Sequence, residues 1–495
     1  MDFIREATTQ RVWSECHSAW GARSPRGEWP LLPAPSLPIC AGTASVCCSR
    51  GHGRVGRRAS DRDPSDWLRD VSGTHGQSPR KMNFTLGLGL LLAGFLTVEG
   101  LREPSFSPKN HGAVSRDQEQ QGRRAAQQLA RRNVGFGFEL YKRMASTGPS
   151  KNIFFSPMSI STAFAMLSLG AQNSTLAEIQ QGLNFRNMPE KDLHEGFHYL
   201  IQRLNQKTEG LQLSLENTLF LDRKLRPEKR FMADAKNLYN ADSIPTNFQD
   251  IKNAQKQIND YVSQKTQGKI NNLVKDIDPG TVMLLVNCLY FRARWLHEFD
   301  PKSTKEEDFF LDENRPVKVP MMFHGGMYAM GYDEQLGCTV LEMPYFHNIT
   351  ATFVLPDKGN MRRVEEALKL DTFDRWKKLI VRRVVDVSLP RFSITGTYDL
   401  KKTLSHLGIT KIFQEHGDLI RIVPNRSLKV GEAVHKAKLK IDEKGAEGAA
   451  GSGMQTLPME RPLTFKLNRA FLLMIAENLT PTMLFMGKIT NPTGT

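Results

Sequence analysis

The sequence predicts an α+β fold, a single large mixed domain in which helices pack around β-sheets. Three observations lead there. A chain of 495 residues with 40% hydrophobic content can bury an extensive core. Segments with a helical apolar period alternate along the chain with segments of period two, instead of falling into separate blocks. No long linker divides the region that holds them.

In order, residues 125–145 place Leu129, Phe136, Leu140 and Met144 on one helical face, although Gly135 and Gly137 weaken it. Residues 159–169 and 175–183 read as helices, the second with Ser174 as N-cap. Helices are also expected over 189–204, 227–239, 254–265 and 361–368. In 211–221, Leu211, Leu213, Leu215, Leu219 and Leu221 recur at period two, as in a strand with one buried face. The nearly continuous apolar run 282–291 suits a central strand covered on both sides. Residues 384–389, 465–475 and 482–489 are further strand candidates.

The first 81 residues are rich in Arg, Ser, Pro and Gly and show no sustained period, so nothing there is expected to fold. Lys81-Met82-Asn83, an apolar stretch over 84–98 and Glu99-Gly100-Leu101 then read as a secretory signal peptide. The stretch is short of the roughly 20 residues of a membrane span. The expected organisation is a gene-model extension over 1–81, a signal peptide over 82–100, a tail over 101–124 and the domain over 125–495. The product is expected to be extracellular and monomeric, with no transmembrane segment.

On a secretory route the sequons at Asn173, Asn348, Asn425 and Asn478 become candidate glycosylation sites. The net charge of +15 favours polyanionic partners, although an even scatter of Lys and Arg would give the same total. Cys16, Cys40, Cys47 and Cys48 lie in the first tenth of the chain, leaving Cys288 and Cys338 in apolar runs. These two read as small buried hydrophobes, with a bridge between them left open.

Catalytic patterns are scarce. His194-Glu195-Gly196-Phe197-His198 matches the helical zinc pair H-E-x-x-H, but Leu193, Phe197, Leu200, Ile201 and Leu204 already explain the segment as a packing helix. There is no nucleophile elbow, no phosphate loop and no zinc ribbon. No enzyme, metal or cofactor is expected.

The most unusual segment is 443–461, tiny residues between two strand candidates. A flexible linker is its plain reading. As a strand, it would send Ala446, Gly448, Ala450 and Ser452 to one face, all small and uncharged, and Glu447 to the other.

These residues resemble the serpins, over nearly all of the chain from about residue 125 to 492. The hinge Glu443-Lys444-Gly445, Phe155-Ser156-Pro157-Met158-Ser159, Asn259-Asp260-Tyr261-Val262, Val286-Asn287, Tyr290-Phe291, Trp295, Val434-His435-Lys436-Ala437 and Leu484-Phe485-Met486-Gly487-Lys488 carry the likeness. It implies three β-sheets surrounded by helices and an exposed reactive-centre loop. It implies a serine-protease inhibitor, not an enzyme, whose loop is cut between Met459 and Glu460 and then inserts as a strand.

Met459 suits a chymotrypsin-like target, and the resemblance implies a kallikrein-related one. Glu443, Lys444, Gly445, Ala446, Gly448 and Ala450 would form the hinge of the loop. Ser156, Ser159, Asn287 and His435 would form the shutter through which it enters, and Trp295 the breach where entry starts. Lys436, Lys438 and Lys440 with Arg292 and Arg294 would bind a heparin-like glycosaminoglycan, the expected accelerator; nucleic acid is not an expected partner. The rival reading is a non-inhibitory serpin that acts as a binding or carrier protein. Two departures are Ala446, where the family has Thr or Ser, and Ala470 before Phe471, where it commonly has Pro.

Overall fold

Helical and extended segments alternate along the chain, and each is fixed by which face it can bury. In this computed structural model the described residues are 116–445 and 461–494, apart from 207, 416, 425 and 427, and they lie in one unit, Ser107–Thr495. The helices are α1 (Arg116–Thr147), α2 (Pro157–Ser168), α3 (Asn173–Gly182), α4 (Glu190–Leu204), α5 (Lys229–Tyr239), α6 (Ile251–Lys265), α7 (Met361–Glu366), α8 (Leu370–Leu379) and α9 (Leu400–Ser405). The strands are β1 (Ile153–Phe155), β2 (Leu211–Asp222), β3 (Asp242–Thr246), β4 (Met283–Ala293), β5 (Lys305–Asp312), β6 (Arg315–Asp333) and β7 (Cys338–Pro344). After them come β8 (Ile349–Pro356), β9 (Val381–Pro390), β10 (Phe392–Asp399), β11 (Glu432–Ile441), β12 (Leu463–Lys466), β13 (Phe471–Glu477) and β14 (Thr482–Ile489).

Among the described residues a five-stranded sheet runs in the order β10-β11-β4-β2-β3, and a nine-stranded sheet follows the eight-strand path β1-β14-β13-β8-β7-β6-β9-β12 with β5 as its ninth strand beside β6. The long strand β6 joins two leaves of that path: its start pairs β5, its middle β9 and its end β7. The three sheets expected from the resemblance are the five-stranded sheet and these two leaves.

Strand β4 is central and almost wholly buried, as its apolar run predicts. Helix α2 is buried along its whole length, so its apolar character needs no single face. It starts cleanly: Ser156 is its N-cap, accepts a hydrogen bond from the Ser159 amide, and is followed by Pro157.

Three sequence readings are corrected. Helix α1 begins at Arg116, not 125, because its first turns are mostly exposed and polar and carry no apolar period. Helix α3 begins at Asn173 with no side-chain cap, so Ser174 is not its N-cap. Asp418 holds that turn from outside: its carboxylate accepts from the Asn173 side chain and its amide donates to Thr175 Oγ1. The strand expected over 465–475 is two strands. Between β12 and β13 the chain crosses from one leaf to the other, where the Phe310 amide donates to the Asn468 carbonyl.

Candidate functional site: the seam between β4 and β11

Strands β4 and β11 are neighbours that run parallel, in register from Leu284 opposite Glu432 to Phe291 opposite Leu439. Their other neighbours, β2 and β10, are antiparallel to them. The seam between β4 and β11 is therefore a parallel ladder flanked on both sides by antiparallel ones; the sheet's other parallel ladder, β2 with β3, lies at its edge.

At mid-seam His435 faces Asn287, which in turn faces Asn217 on β2. All three are buried. The Ser156 amide donates to His435 Nε2 at 3.1 Å, which leaves the ring proton on Nδ1, 2.6 Å from Asn287 Oδ1. Asn287 also accepts from Ser159 Oγ at 2.8 Å and donates to the Ser159 carbonyl at 2.9 Å and to Asn217 Oδ1 at 2.7 Å. Burial pushes the His435 imidazole down to about 3, so it is neutral at physiological pH. Ser156, Ser159, Asn287 and His435 thus converge, tying the start of α2 to both strands. Asn217 is a further member that sequence reasoning missed, since only the cross-strand register reveals it.

The top of the seam is held by Trp295, just past the end of β4. Its ring stacks on Tyr345 at 3.9 Å, its indole Nε1–H donates to the Asp442 carbonyl at 3.0 Å, and its amide donates to the Lys444 carbonyl at 3.3 Å. The Phe299 amide donates to the Glu443 carbonyl. The buried Glu443 carboxylate accepts from Thr304 Oγ1 at 2.9 Å and from Arg391 Nη1 at 3.2 Å. Thr304, Tyr345 and Arg391 were also missed, because they lie far from Glu443 in sequence.

Gly445 has φ +71, and a Cβ there would sit 2.4 Å from the Trp295 amide nitrogen and 2.6 Å from the Ala293 carbonyl. Only glycine fits this turn. Ala446, Gly448, Ala450, Met459 and Glu460 lie outside the described residues.

The basic candidates lie on one edge of the same strands. Lys436, Lys438 and Lys440 point away from the buried His435, Ala437 and Leu439. Lys438 stands opposite Tyr290, and continuing the register by two residues brings Lys440 level with Arg292. Their ammonium groups have partners: Lys436 donates to the Asn271 carbonyl, Lys438 to the Lys269 carbonyl, and Lys440 pairs with Asp442 at 2.8 Å. Arg294 lies beyond β4 and pairs with Glu298 at 2.5 Å, with Phe346 beneath its guanidinium.

Asn173, Asn348 and Asn478 are exposed, and Asn425 lies outside the described residues. His194 is buried, with Nδ1 2.5 Å from Tyr239 Oη, whereas His198 is half-buried and meets Gln202. Gly196 between them lets α4 approach the Ala125–Ala126 backbone, where a Cβ would come within 3.1 Å. Cys288 and Cys338 are both free and buried, and burial pushes each thiol up to about 12. Among the described residues no helix is long and apolar enough to cross a membrane.

The serpin (serine protease inhibitor) family matches residues 131–492. The chain belongs to the serpin family. Human Serpin A12 is 62% identical over 413 residues, which span 83% of this chain and all of that protein. Bovine Serpin A3-1 is 43% identical over 83% of this chain and 98% of its own length. Among solved structures, human thyroxine-binding globulin in complex with thyroxine superposes with a TM-score of 0.71 at 39% identity, over 75% of this chain and all of that one. Human glycosylated kallistatin does so with a TM-score of 0.70 at 37% identity, again over 75% of this chain and all of that one. The serpin fold, with its antitrypsin-like clade A relatives and its likeness to Serpin A12, or vaspin, is the one that the sequence motifs indicate.

Proposed function

We propose that this serpin is a secreted inhibitor of a chymotrypsin-like, kallikrein-related serine protease, acting by loop cleavage and strand insertion. One observation carries the reading: the parallel ladder β4–β11 with a hinge at its upper end. A strand that leaves β11 at Gly445 and turns back between β4 and β11 runs antiparallel to both. One parallel ladder is replaced by two antiparallel ones, which pair somewhat better per residue.

In the proposed reaction the protease serine attacks the Met459 carbonyl, the Met459–Glu460 bond breaks, and the Glu460 amine leaves. The protease is then held as an ester on Met459. Insertion removes that ester from its catalytic geometry before water hydrolyses it. From Gly445 to Met459 is 14 residue steps, about 46 Å of strand at roughly 3.3 Å each. A domain of this size is roughly 55 Å across, so the protease travels most of its length. The Lys436–Lys438–Lys440 stripe with Arg292 offers a heparin-like polysaccharide a surface that bridges inhibitor and protease, once the ammonium groups exchange their present partners. Glycans at the exposed Asn173, Asn348 and Asn478 and a signal peptide over 82–100 fit export, which N-terminal peptide mapping of the secreted protein tests.

The deciding experiment incubates the protein with chymotrypsin-like proteases. An SDS-stable covalent complex and a raised melting temperature after loop cleavage are expected. Cleavage with neither would leave a carrier or binding protein.

A further inference from the structure

Several features of the molecule explain themselves within the fold. The buried trio Tyr141, Glu365 and Lys488 closes on itself, as does the Asp333, Arg375 and Trp376 cluster. A pair of histidines beside the hinge does not. His297 lies two residues past Trp295 and His324 lies on β6, with their rings nearly parallel and the ring centres 6.0 Å apart. Both are half-buried, so protons from solvent reach them, unlike the wholly buried His435.

The pair walls in the segment that fastens the hinge. The Phe299 ring meets His324 edge-on at 6.0 Å and Trp295 edge-on at 6.2 Å. The Phe299 amide donates to the Glu443 carbonyl and the Trp295 amide to the Lys444 carbonyl. On the other side Tyr328 stands edge-on to both imidazoles, with its hydroxyl 2.6 Å from His324 Nδ1. Burial pushes the Tyr328 hydroxyl up, so it keeps its proton and donates to Nδ1. An imidazole with protons on both nitrogens has no acceptor left for that hydroxyl.

The charged groups around the pair favour its neutral form. Beside His297, Glu298 is held by Arg294 and, on β7, Glu342 is held by Lys377. Asp300 accepts from the Lys302 amide and from Ser303, and Glu443 is held by Thr304 and Arg391. On β9, Asp386 stands opposite Gly325 and so on the other face of β6 from His324, whereas Arg383 stands opposite Tyr328. Arg382 and His297 border one depression. Burial above all, with Arg382 adding to it at His297 and His297 adding to it at His324, holds both imidazoles below the ordinary 6.5.

We propose that His297 and His324 form an acid-released latch on the root of the loop: neutral, they wall Phe299 in, and protonated, they repel each other and Arg382 until the 295–299 segment lets go of the Glu443 and Lys444 carbonyls. The opened segment takes up protons below about 6.5 and the closed one resists them, so closure is complete at neutral pH and fades as pH falls below that value. At about pH 5.5, opening becomes up to roughly tenfold more favourable for each ring that stays neutral when closed. The loosening stands apart from the inhibitory reading. Its effect on the loop rests on that reading, since a freed hinge lets an uncut loop enter the seam and inactivates the inhibitor.

The test follows hydrogen exchange of the full-length protein at about pH 7.4 and about pH 5.5, corrected for intrinsic rates. Exchange at the Trp295 and Phe299 amides is expected to rise about tenfold or more at the lower pH, while the Leu285 amide in the centre of β4 stays protected. Two double variants should lose this response: His297→Gln, His324→Gln, which keeps an acceptor for Tyr328, and His297→Phe, His324→Phe, which keeps rings against Phe299. His435→Gln should retain it. Wild type held in acid and returned to neutral pH should progressively lose SDS-stable complex formation and melt higher, and both double variants should keep their activity.

A rise of the same size in both double variants, or no rise in the wild type, would overturn the inference. So would a loosened segment in a protein whose inhibition survives the acid treatment undiminished, since the segment would then not hold the loop. An acid response that both double variants abolish, in a wild type that is cleaved without forming complexes at either pH, would support the latch and sink the inhibitory reading instead.

Discussion

His435 Nδ1 lies 2.6 Å from Asn287 Oδ1 across the parallel seam between β11 and β4, and the ring's other nitrogen is fixed by the Ser156 amide. The imidazole is ordinarily half-protonated near 6.5, but burial pushes it down to about 3. Below about 6.5 the unfolded chain takes up a proton that the folded one refuses, so stability falls as pH drops through that window, at up to roughly 1.4 kcal/mol per pH unit. His435→Gln should therefore show a shallower decline of melting temperature between about pH 6.5 and pH 4. Parallel curves for variant and wild type would exclude His435 as the cause, and leave His194, which burial pushes down to about 4, as the alternative.

Glu443 joins the hinge to Thr304 and Arg391, and reversing its charge places an ammonium against a guanidinium at the top of the seam. Arg391 is about half exposed, so solvent screens the repulsion and the direct cost is on the order of 1–2 kcal/mol. Glu443→Lys should melt several degrees lower and, with the seam loosened, self-associate on warming. Size-exclusion chromatography after mild heating checks this.

Trp295→Phe preserves a ring over Tyr345 but removes the indole N–H that the Asp442 carbonyl accepts. The expected cost is about 1 kcal/mol. Trp295→Ala also empties a fully buried site and should cost about 3–5 kcal/mol. Denaturant midpoints of the two variants should be ranked in that order, with the Ala variant also losing its inhibitory form fastest on storage.

The Cys288 and Cys338 thiols are buried and pushed up to about 12, so neither supplies thiolate at neutral pH. Alkylating reagent applied to the folded protein should leave the peptides bearing both cysteines unmodified, and label both after denaturation. Labelling of either in the folded state would show that its strand opens.

On the proposed mechanism Ala446 enters the sheet as part of the inserted strand, so Ala446→Arg should turn the inhibitor into a substrate by burying an unpaired charge. The readout is the ratio of covalent complex to cleaved loop on a denaturing gel. An unchanged ratio contradicts insertion.

Much of this was legible in the sequence where one face of an element decides its burial. The leucines of β2, the apolar run of β4 and the amphipathic α4 each form the predicted element. The β5–β8 region was not, because β6 carries Pro316, Pro320 and the pair Gly325-Gly326, which a pattern reading treats as interruptions. Helix α8 hid for a different reason: Thr372 and Trp376 are its only fully buried residues, too few to set a period. At the seam, motifs identified Ser156, Ser159, Asn287, Trp295 and His435. Asn217, Thr304 and Arg391 escaped, since a single polar residue among others acquires its partner only when strands distant in sequence are laid side by side.

The parallel seam has a consequence for dose. If the β4–β11 ladder opens to take a strand of its own chain, that strand occupies the seam and leaves no room for a second. On the proposed mechanism each copy is spent on a single encounter, so what a tissue can restrain is set by how many unspent molecules it holds, and replenishing them requires new synthesis.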